Sequence, residues 1–595
     1  MLIDGAPISR MYDGGVHFGN RIPLIGFKRI EVIKGPGSAV YGADAFGGVI
    51  NLVSYEPGEA PSKWVLRRGG FDTWDAGFSH ALKIGDSVLQ LAYEYQRSED
   101  DSGKIVAADL QSTFDRIFGT KASQAPGKFD EHYAISSLSA RWKWRALSFD
   151  VYDWRNLGAG LGAGVAQALD PRGYSKEAIS DYKLGVDLSA FAPGQLDLRL
   201  GYRREATRTL FNIFPPGARL PIGSDGNLSF AAPVNLVTFL DGYIGFPRLS
   251  NRAYSADLTH LLEVGEAHRV RWEFGYDQIQ IRAQETKNFG PGVLDGSKVV
   301  VGGMLTDVTR SPYVYMPSQS RDLWHLSLQD EWKITADLRA TIGVRRDYYS
   351  DFGATTNPRL GASYRLTKDI AFKVSAGSAF RAPAFVDLYV SNNPAGVGNP
   401  ALKPETVRTV DAGFSAIMPF AEQLQLDLSI FRYEAKKLIA FVAEPVTRVQ
   451  MAQNVGTRQG EGFEFSGRWQ VGKKLSTEFN YSYVNEENEW GRPQSDVARR
   501  TASLGGHWQP NEKYHAYLGG QWVADRRRAA GDLRAPIADY FLGSAKLERR
   551  FDRLSISLTV ENLFNVAAKE PSNGSIPGDY PLAGRQWMLE TSWTF

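Results

Sequence analysis

A chain of 595 residues without a single cysteine builds neither a disulfide framework nor a thiolate metal site. Its 68 Lys and Arg against 66 Asp and Glu leave a net charge of +2, which is no nucleic-acid footprint. Mean hydropathy is -0.30, and no apolar run reaches the ~18 residues of a transmembrane helix, so a bilayer could be crossed only by a closed barrel, whose strands alternate lipid-facing and lumen-facing residues.

The first distinctive stretch is "GFKRIEVIKGPGSAVYGADAFGGVINLVS", residues 26–54. It opens with strand-like alternation, turns through glycines and closes on an apolar run. Gly35-Pro36-Gly37 suggests a dinucleotide loop, but Val40 stands where that fingerprint needs its third glycine. A phosphate loop needs Gly-Lys-Ser/Thr, which is missing. The glycines are therefore read as turn residues that permit positive φ.

After Pro57 the texture becomes repetitive. Segments of about ten residues alternate apolar and polar, as barrel strands do. Leu89, Leu91, Tyr93 and Tyr95 share one face; so do Leu196, Leu198, Leu200 and Tyr202, and Val270, Trp272, Phe274 and Tyr276. A soluble antiparallel sheet also alternates. Here the opposite face is often charged, each strand offers only one apolar face, and aromatics crowd the strand ends as interface girdles do. Connections alternate between tight ("KITAD" at 333–337, "LTKD" at 366–369, "VGKK" at 471–474) and long (about 96–132, 156–179, 204–251, 282–321 and 380–405). The pattern predicts twenty-two strands, near 62–68, 73–83, 87–95, 133–143, 147–155, 180–190, 195–203, 252–262, 268–281, 322–332 and 338–349, then 357–365, 370–378, 406–417, 424–437, 461–470, 475–484, 498–508, 513–523, 538–549, 554–564 and 584–595. A barrel of that size has a lumen wide enough to hold a plug.

The residues in this order resemble a family. "RIEVIKGPGSAVYGADAFGGVINLVS" is similar to the end of the plug domain of TonB-dependent outer-membrane receptors, and "LIDGAPIS" at 2–9 to the plug strand before it. "FRAPAFVDLY" at 380–389, "NPALKPET" at 399–406 and "ENLFNVAAKEP" at 561–571 resemble barrel boxes of the family. "GRQWMLETSWTF" resembles its C-terminal strand, with Trp593 and Phe595 as the signal read by the barrel-assembly machinery. The resemblance implies an all-β fold: a 22-stranded antiparallel transmembrane barrel, residues 58–595, with a partial plug at 1–57 in its lumen. It implies a monomer in the bacterial outer membrane, active import, and TonB as the partner that pulls on an N-terminal segment; relative to the family pattern, that segment and the first half of the plug precede Met1.

The resemblance also assigns roles. Gly35, Gly37, Tyr41, Gly42, Gly47, Gly48 and Asn51 are its structural plug motif. The stretch 9–20 matches the plug's apical loop, so Arg10, Tyr12, Asp13, His17 and Phe18 are candidates for substrate contact, with Arg381 and Tyr389 from the barrel box. Arg29, Glu31 and Lys34 are read as contacts from plug to wall. Haem receptors of the family carry a His between the two central boxes; Arg381 to Ala401 holds none. "SEDDSG" at 98–103 offers clustered carboxylates to calcium or simply a solvated loop. "DRRR" at 525–528 offers cations to an anionic chelate or to lipopolysaccharide phosphates. No cofactor and no resident metal are expected. Neither is an enzyme, since no nucleophile elbow, zinc-helix motif or nucleotide loop occurs. The expected cargo is a ferric siderophore, with cobalamin second. A passive porin or adhesin would have no use for the 26–54 stretch. A secreted β-propeller would show a repeated blade of ~40–50 residues.

Overall fold

The computed structural model describes residues 1–595 except 17–21, 36, 38–41, 44, 231–233, 394–395, 419–422, 444–449, 496 and 573. Among the described residues, twenty-two antiparallel strands close into one barrel. It begins at Lys63–Gly69, Thr73–Ile84 and Ser87–Ser98 and ends at Tyr540–Arg550, Leu554–Glu561 and Gln586–Thr594. The last strand pairs with the first, Trp593 opposite Trp64 and Leu589 opposite Arg68. Each of the twenty-two predicted strands has its counterpart.

The burial pattern is that of a soluble protein turned inside out. Leu326, Leu504 and Leu518 on the outer face are 55 %, 65 % and 63 % exposed, whereas Glu94, Glu205 and Asp347 on the inner face are 2 %, 1 % and 0 % exposed. Apolar side chains outside and charged side chains inside place hydrocarbon around the wall and a polar lumen within it.

Four short strands form a separate sheet inside that lumen, in the order Ala6–Pro7 (β2), Leu2–Ile3 (β1), Gly48–Ser54 (β4), Phe27–Lys34 (β3). β1 runs parallel to β4, with Leu2 opposite Asn51. Two small apolar clusters hold the sheet. Leu2, Ala45 and Val49 pack with Ile33; Ile3, Ile8 and Leu52 pack with Phe27 and with Tyr152 of the wall. Asn51 locks the turn between β1 and β2: its Oδ1 accepts from the Gly5 amide at 3.0 Å, and its Nδ2 donates to Glu31 at 3.1 Å. Gly48 sits at φ 150°, where a Cβ would lie 2.7 Å from the Ile33 carbonyl. Gly42, at φ 76°, lies against the Arg345 guanidinium of the wall. Gly35 also has positive φ. Gly37 and Gly47 do not; Gly37 donates its amide to the Ala45 carbonyl at 2.9 Å. Tyr41 lies outside the described residues.

The long-loop end holds more order than the sequence predicts. Gln195–Phe214 and Tyr243–Val264 run well past the expected limits of 203 and 252. Their outward residues there include Arg204, Arg208, Arg248 and Arg252, which break the apolar rule that marks a strand in lipid. The alternation itself continues, because a wall can project into water. Ala218–Ile222 and Asn235–Phe239, between these strands, make a small sheet with Val300–Val301 of a later loop. It packs with Phe114, Phe214, Tyr243 and Phe289 into an apolar cap, in which Tyr243 and Phe289 stack at 4.0 Å. Phe114 comes from a helix within the expected 96–132 loop, Leu110–Phe118, whose N-cap Asp109 accepts from the Ser112 amide.

Two predictions follow from closure and polarity. Phe595 donates its amide to Ser62 across the seam at 3.0 Å and rests its ring on His80. Deleting it should reduce the folded, heat-modifiable band on gels and leave unfolded chain on the inner side of the membrane; an unchanged folded fraction would refute its role in assembly. An epitope at Asp241 should be labelled on intact cells, and one at Ala336, in a tight turn, only after permeabilisation.

Candidate functional site

The segment that follows β2 carries the lumenal sheet to the wall at the long-loop end. Its anchors are polar and come from distant strands. Arg203 of the wall donates to the Pro7 and Ser9 carbonyls at 2.9 and 2.8 Å. Glu205, two residues on and so on the same face, accepts from the Met11 amide at 3.0 Å and from Asn251 at 2.9 Å. Arg10 reaches Glu177 on the neighbouring strand at 3.3 Å while holding Asp13 at 3.0 Å. The Val386 amide donates to the Tyr12 carbonyl at 3.1 Å.

Burial works against the charge on Arg10, but the carboxylates of Asp13 and Glu177 hold it and its pKa is raised. Tyr12 is raised by burial first and then by Asp13. Both therefore keep their protons at neutral pH, and the apex holds a guanidinium shared between two carboxylates beside a neutral phenol. Arg10 and Asp13 retain 24 % and 23 % side-chain exposure, enough to be touched from the mouth. His17 and Phe18 lie outside the described residues.

The barrel box supplies the other half. Phe385–Tyr389 is a short helix. Tyr389 and Phe385 join Met11, Tyr12, Tyr315 and Met316 in one apolar cluster. The fold thus brings Tyr12 and Tyr389 together. Arg381 lies elsewhere: it makes a bidentate pair with Glu405 at 2.7 and 2.8 Å and reaches Asp387 at 3.4 Å, where it pins the base of the loop. Arg321 pins the other side, 2.7 Å from Asp351, donating to the Pro383 carbonyl and lying over the Phe385 ring at 4.4 Å. Tyr389 contacts Asp351 at 3.4 Å, and burial and that carboxylate raise its pKa.

Elsewhere the plug-like sheet meets the wall through single polar contacts. Lys34 pairs with Glu464, the Ile25 amide donates to Glu94 at 3.0 Å, and Arg141 donates to the Tyr55 carbonyl at 3.0 Å. Arg29 and Glu31, read from the sequence as wall contacts, pair with each other at 2.6 Å instead. Their two-residue spacing puts both on the same exposed face of β3.

Two charged motifs prove to be internal. Lys104 inserts its ammonium between Asp100 of the 98–103 loop and Glu131, at 2.9 and 2.6 Å. Arg526 donates to the Lys569 and Ala538 carbonyls and pairs with Glu570 at 3.2 Å. Arg528 holds Asp579 at 2.7 Å; burial opposes, but Arg528 and the Ser572 amide bring the Asp579 pKa below its usual value. Only Arg527 of the three points to water, beside Asp525. Among the described residues one histidine meets two carboxylates in a cluster: Asp257, Glu273 and His325 put ligand atoms within 4.8 Å of one another on the lumen wall. Arg345 stands 3.6 Å from Glu273 and supplies a positive charge there already.

Comparison with known proteins agrees with this architecture. A family model described as TonB dependent receptor-like, beta-barrel matches residues 142–563, and one described as TonB-dependent Receptor Plug Domain matches residues 1–49. The chain belongs to the TonB-dependent receptor family. It is therefore an outer-membrane receptor and transporter, and the lumenal sheet is plug. Among curated relatives, the Vitamin B12 transporter BtuB of Photobacterium profundum is 24 % identical over 535 residues, covering 88 % of this chain and 72 % of that protein. The Iron-regulated outer membrane virulence protein of Vibrio cholerae is 21 % identical and covers 97 % and 80 %. Among solved structures, the siderophore receptor PirA of Acinetobacter baumannii superposes with TM-score 0.71 at 18 % identity, covering 100 % of this chain and 90 % of that one. A ferric enterobactin receptor, PfeA, of Pseudomonas aeruginosa gives 0.73 at 17 %, with 100 % and 90 % covered.

The anchors of the apex make a prediction. Replacing Glu205 by Ala strands the buried Met11 amide, a loss of about 1–3 kcal/mol for an unsatisfied donor. The barrel should still fold, while hydrogen exchange at Met11 and proteolysis within 8–13 should speed up by roughly 5- to 150-fold at that local cost. Unchanged exchange would show that Glu205 does not hold the apex.

Proposed function

We propose that this receptor captures a ferric siderophore at its outer mouth and imports it, with TonB supplying the force. The observation that carries the reading is the Arg10–Asp13 apex. It sits beneath the long loops, partly exposed, where Arg10, shared between Asp13 and Glu177, lies beside a cluster of aromatic rings, a surface suited to the polar and aromatic groups of a bulky chelate. The fold likeness to receptors named for siderophores supports it. The division at residue 57, plug before and barrel after, fits the gap between Ser54 and Lys63 in the two sheets. Cobalamin is the second reading, favoured by the relatives named for vitamin B12. Haem is disfavoured, since Arg381 to Ala401 offers no imidazole. Catalysis has no place in the scheme: the family consists of receptors and transporters.

The test is uptake in an iron-starved host that lacks its own siderophore and cobalamin receptors. Cells carrying this receptor should accumulate radioiron from a catecholate or hydroxamate chelate above the external level, and should stop when TonB is deleted. Rescue by cobalamin with no iron uptake would overturn the siderophore reading. Arg10→Ala should weaken chelate binding at least tenfold while leaving the barrel folded, measured by ligand binding to whole cells.

A further inference from the structure

One side of the outer wall carries a charge pattern that import does not use. On Tyr174–Asp187, Gln195–Phe214 and Tyr243–Val264 the outward face is apolar, apart from His260 near the tight-turn end, up to a row of three tyrosines. Tyr182, Tyr202 and Tyr254 lie side by side, with ring centroids 6.1 and 5.2 Å apart. Such a row marks the boundary between hydrocarbon and headgroups. Directly above it the same face turns basic. Arg204 stands opposite Arg252, and in the next outward row but one Lys176, Arg208 and Arg248 stand opposite one another across three strands. Arg282, just past the end of the next strand, extends the patch. All six side chains are exposed. Among the described residues none of the six is in an ion pair.

Like charges directly opposite each other in a sheet, with Cβ atoms about 4.5–5.5 Å apart, destabilise it. Here the arrangement is repeated in two rows. The nearest outward carboxylates do not answer it. Asp153 is taken by Arg155 at 2.7 Å and Asp322 by the Tyr276 hydroxyl at 2.7 Å, while Asp307 accepts from the Thr309 amide at 2.9 Å and faces Arg248 and Arg310 across a hollow without closing an ion pair with any of the six. That hollow, about 510 Å³, is lined by Phe246, Arg248, Arg310 and Asp307, by Gln284, Thr286 and Thr309, and by Glu285, whose carboxylate is paired with Lys287, and it opens beside the upper row. The height is that of a headgroup, the charge is complementary to phosphate, and the hollow has room for a sugar.

We infer that this patch is a binding site for the phosphate groups of the glycolipid in the outer leaflet. Guanidinium groups in paired rows suit bidentate contacts to phosphate oxygens, and the tyrosine row beneath would seat the acyl chains. The site differs from Arg526–Arg528, where the sequence suggested an anion contact and where two of the three guanidinium groups are spent on the protein's own loops.

Native mass spectrometry of the folded full chain, purified in a neutral detergent, tests this. A bisphosphorylated glycolipid should bind, and its dephosphorylated form should bind at least tenfold less; equal binding would overturn the proposal without any variant. The combined Arg204→Gln, Arg208→Gln, Arg248→Gln and Arg252→Gln variant, checked for heat-modifiable migration, should lose the phosphorylated lipid at least tenfold. Arg155→Gln, outward but already paired, should keep it. Equal loss in both, or full displacement by inorganic phosphate at millimolar concentration, would overturn the lipid assignment.

Discussion

Closure of the hydrogen-bonded ring is the constraint on which everything else rests. In hydrocarbon an unpaired backbone amide or carbonyl costs several kcal/mol, so the edge of Gln586–Thr594 has to meet the edge of Lys63–Gly69. Once the ring is closed, alternate residues have no choice of environment. One set faces lipid and is apolar. The other faces an enclosed space too wide for side chains to fill, and is polar. The polarity of the lumen then decides how a plug can be held. Glu94, Glu205, Arg203 and Arg141 could not form a dry interface, and they do not; each contributes one or two hydrogen bonds to the plug backbone or to a charged partner.

Outside the membrane the same wall serves a different purpose. The long loops fold into an apolar cap around Tyr243 and Phe289 and into pinned corners around Arg321, Arg381 and Arg528. A buried cation, Lys287, ties several of them: it pairs with Glu285 at 3.1 Å and donates to the Tyr313 carbonyl at 2.9 Å. Loops stapled at so many points present a shaped mouth, and the plug apex is one of the surfaces of that mouth.

The barrel was legible because period-two alternation over ten residues is an uncommon pattern, and twenty-two repeats of it reinforce one another. Failures fall where the environment changes. Arg204 and Arg252 face outwards, so a rule built on lipid contact ends the strands there, although the backbone continues. Leu110–Phe118 is a single helix in a long loop, with too few turns for periodicity to stand out. The apex partners were out of reach for another reason. Glu177 and Glu205 are two lumen-facing carboxylates among many, and their partners in the plug lie 167 and 194 residues away in sequence. The tyrosines were assigned to substrate by resemblance; only the fold shows Tyr12 and Tyr389 in one cluster and Arg381 committed to Glu405.

The scattered character of the plug's anchors has a mechanical consequence. Arg203 and Glu205 on one strand, and Glu94, Arg141 and Glu464 on others, grip the plug through separate bonds, each of which water can replace for a net cost of about 1 kcal/mol. A load on the plug would therefore meet many shallow detents in succession instead of one deep barrier. Work would be spread along the path in small steps.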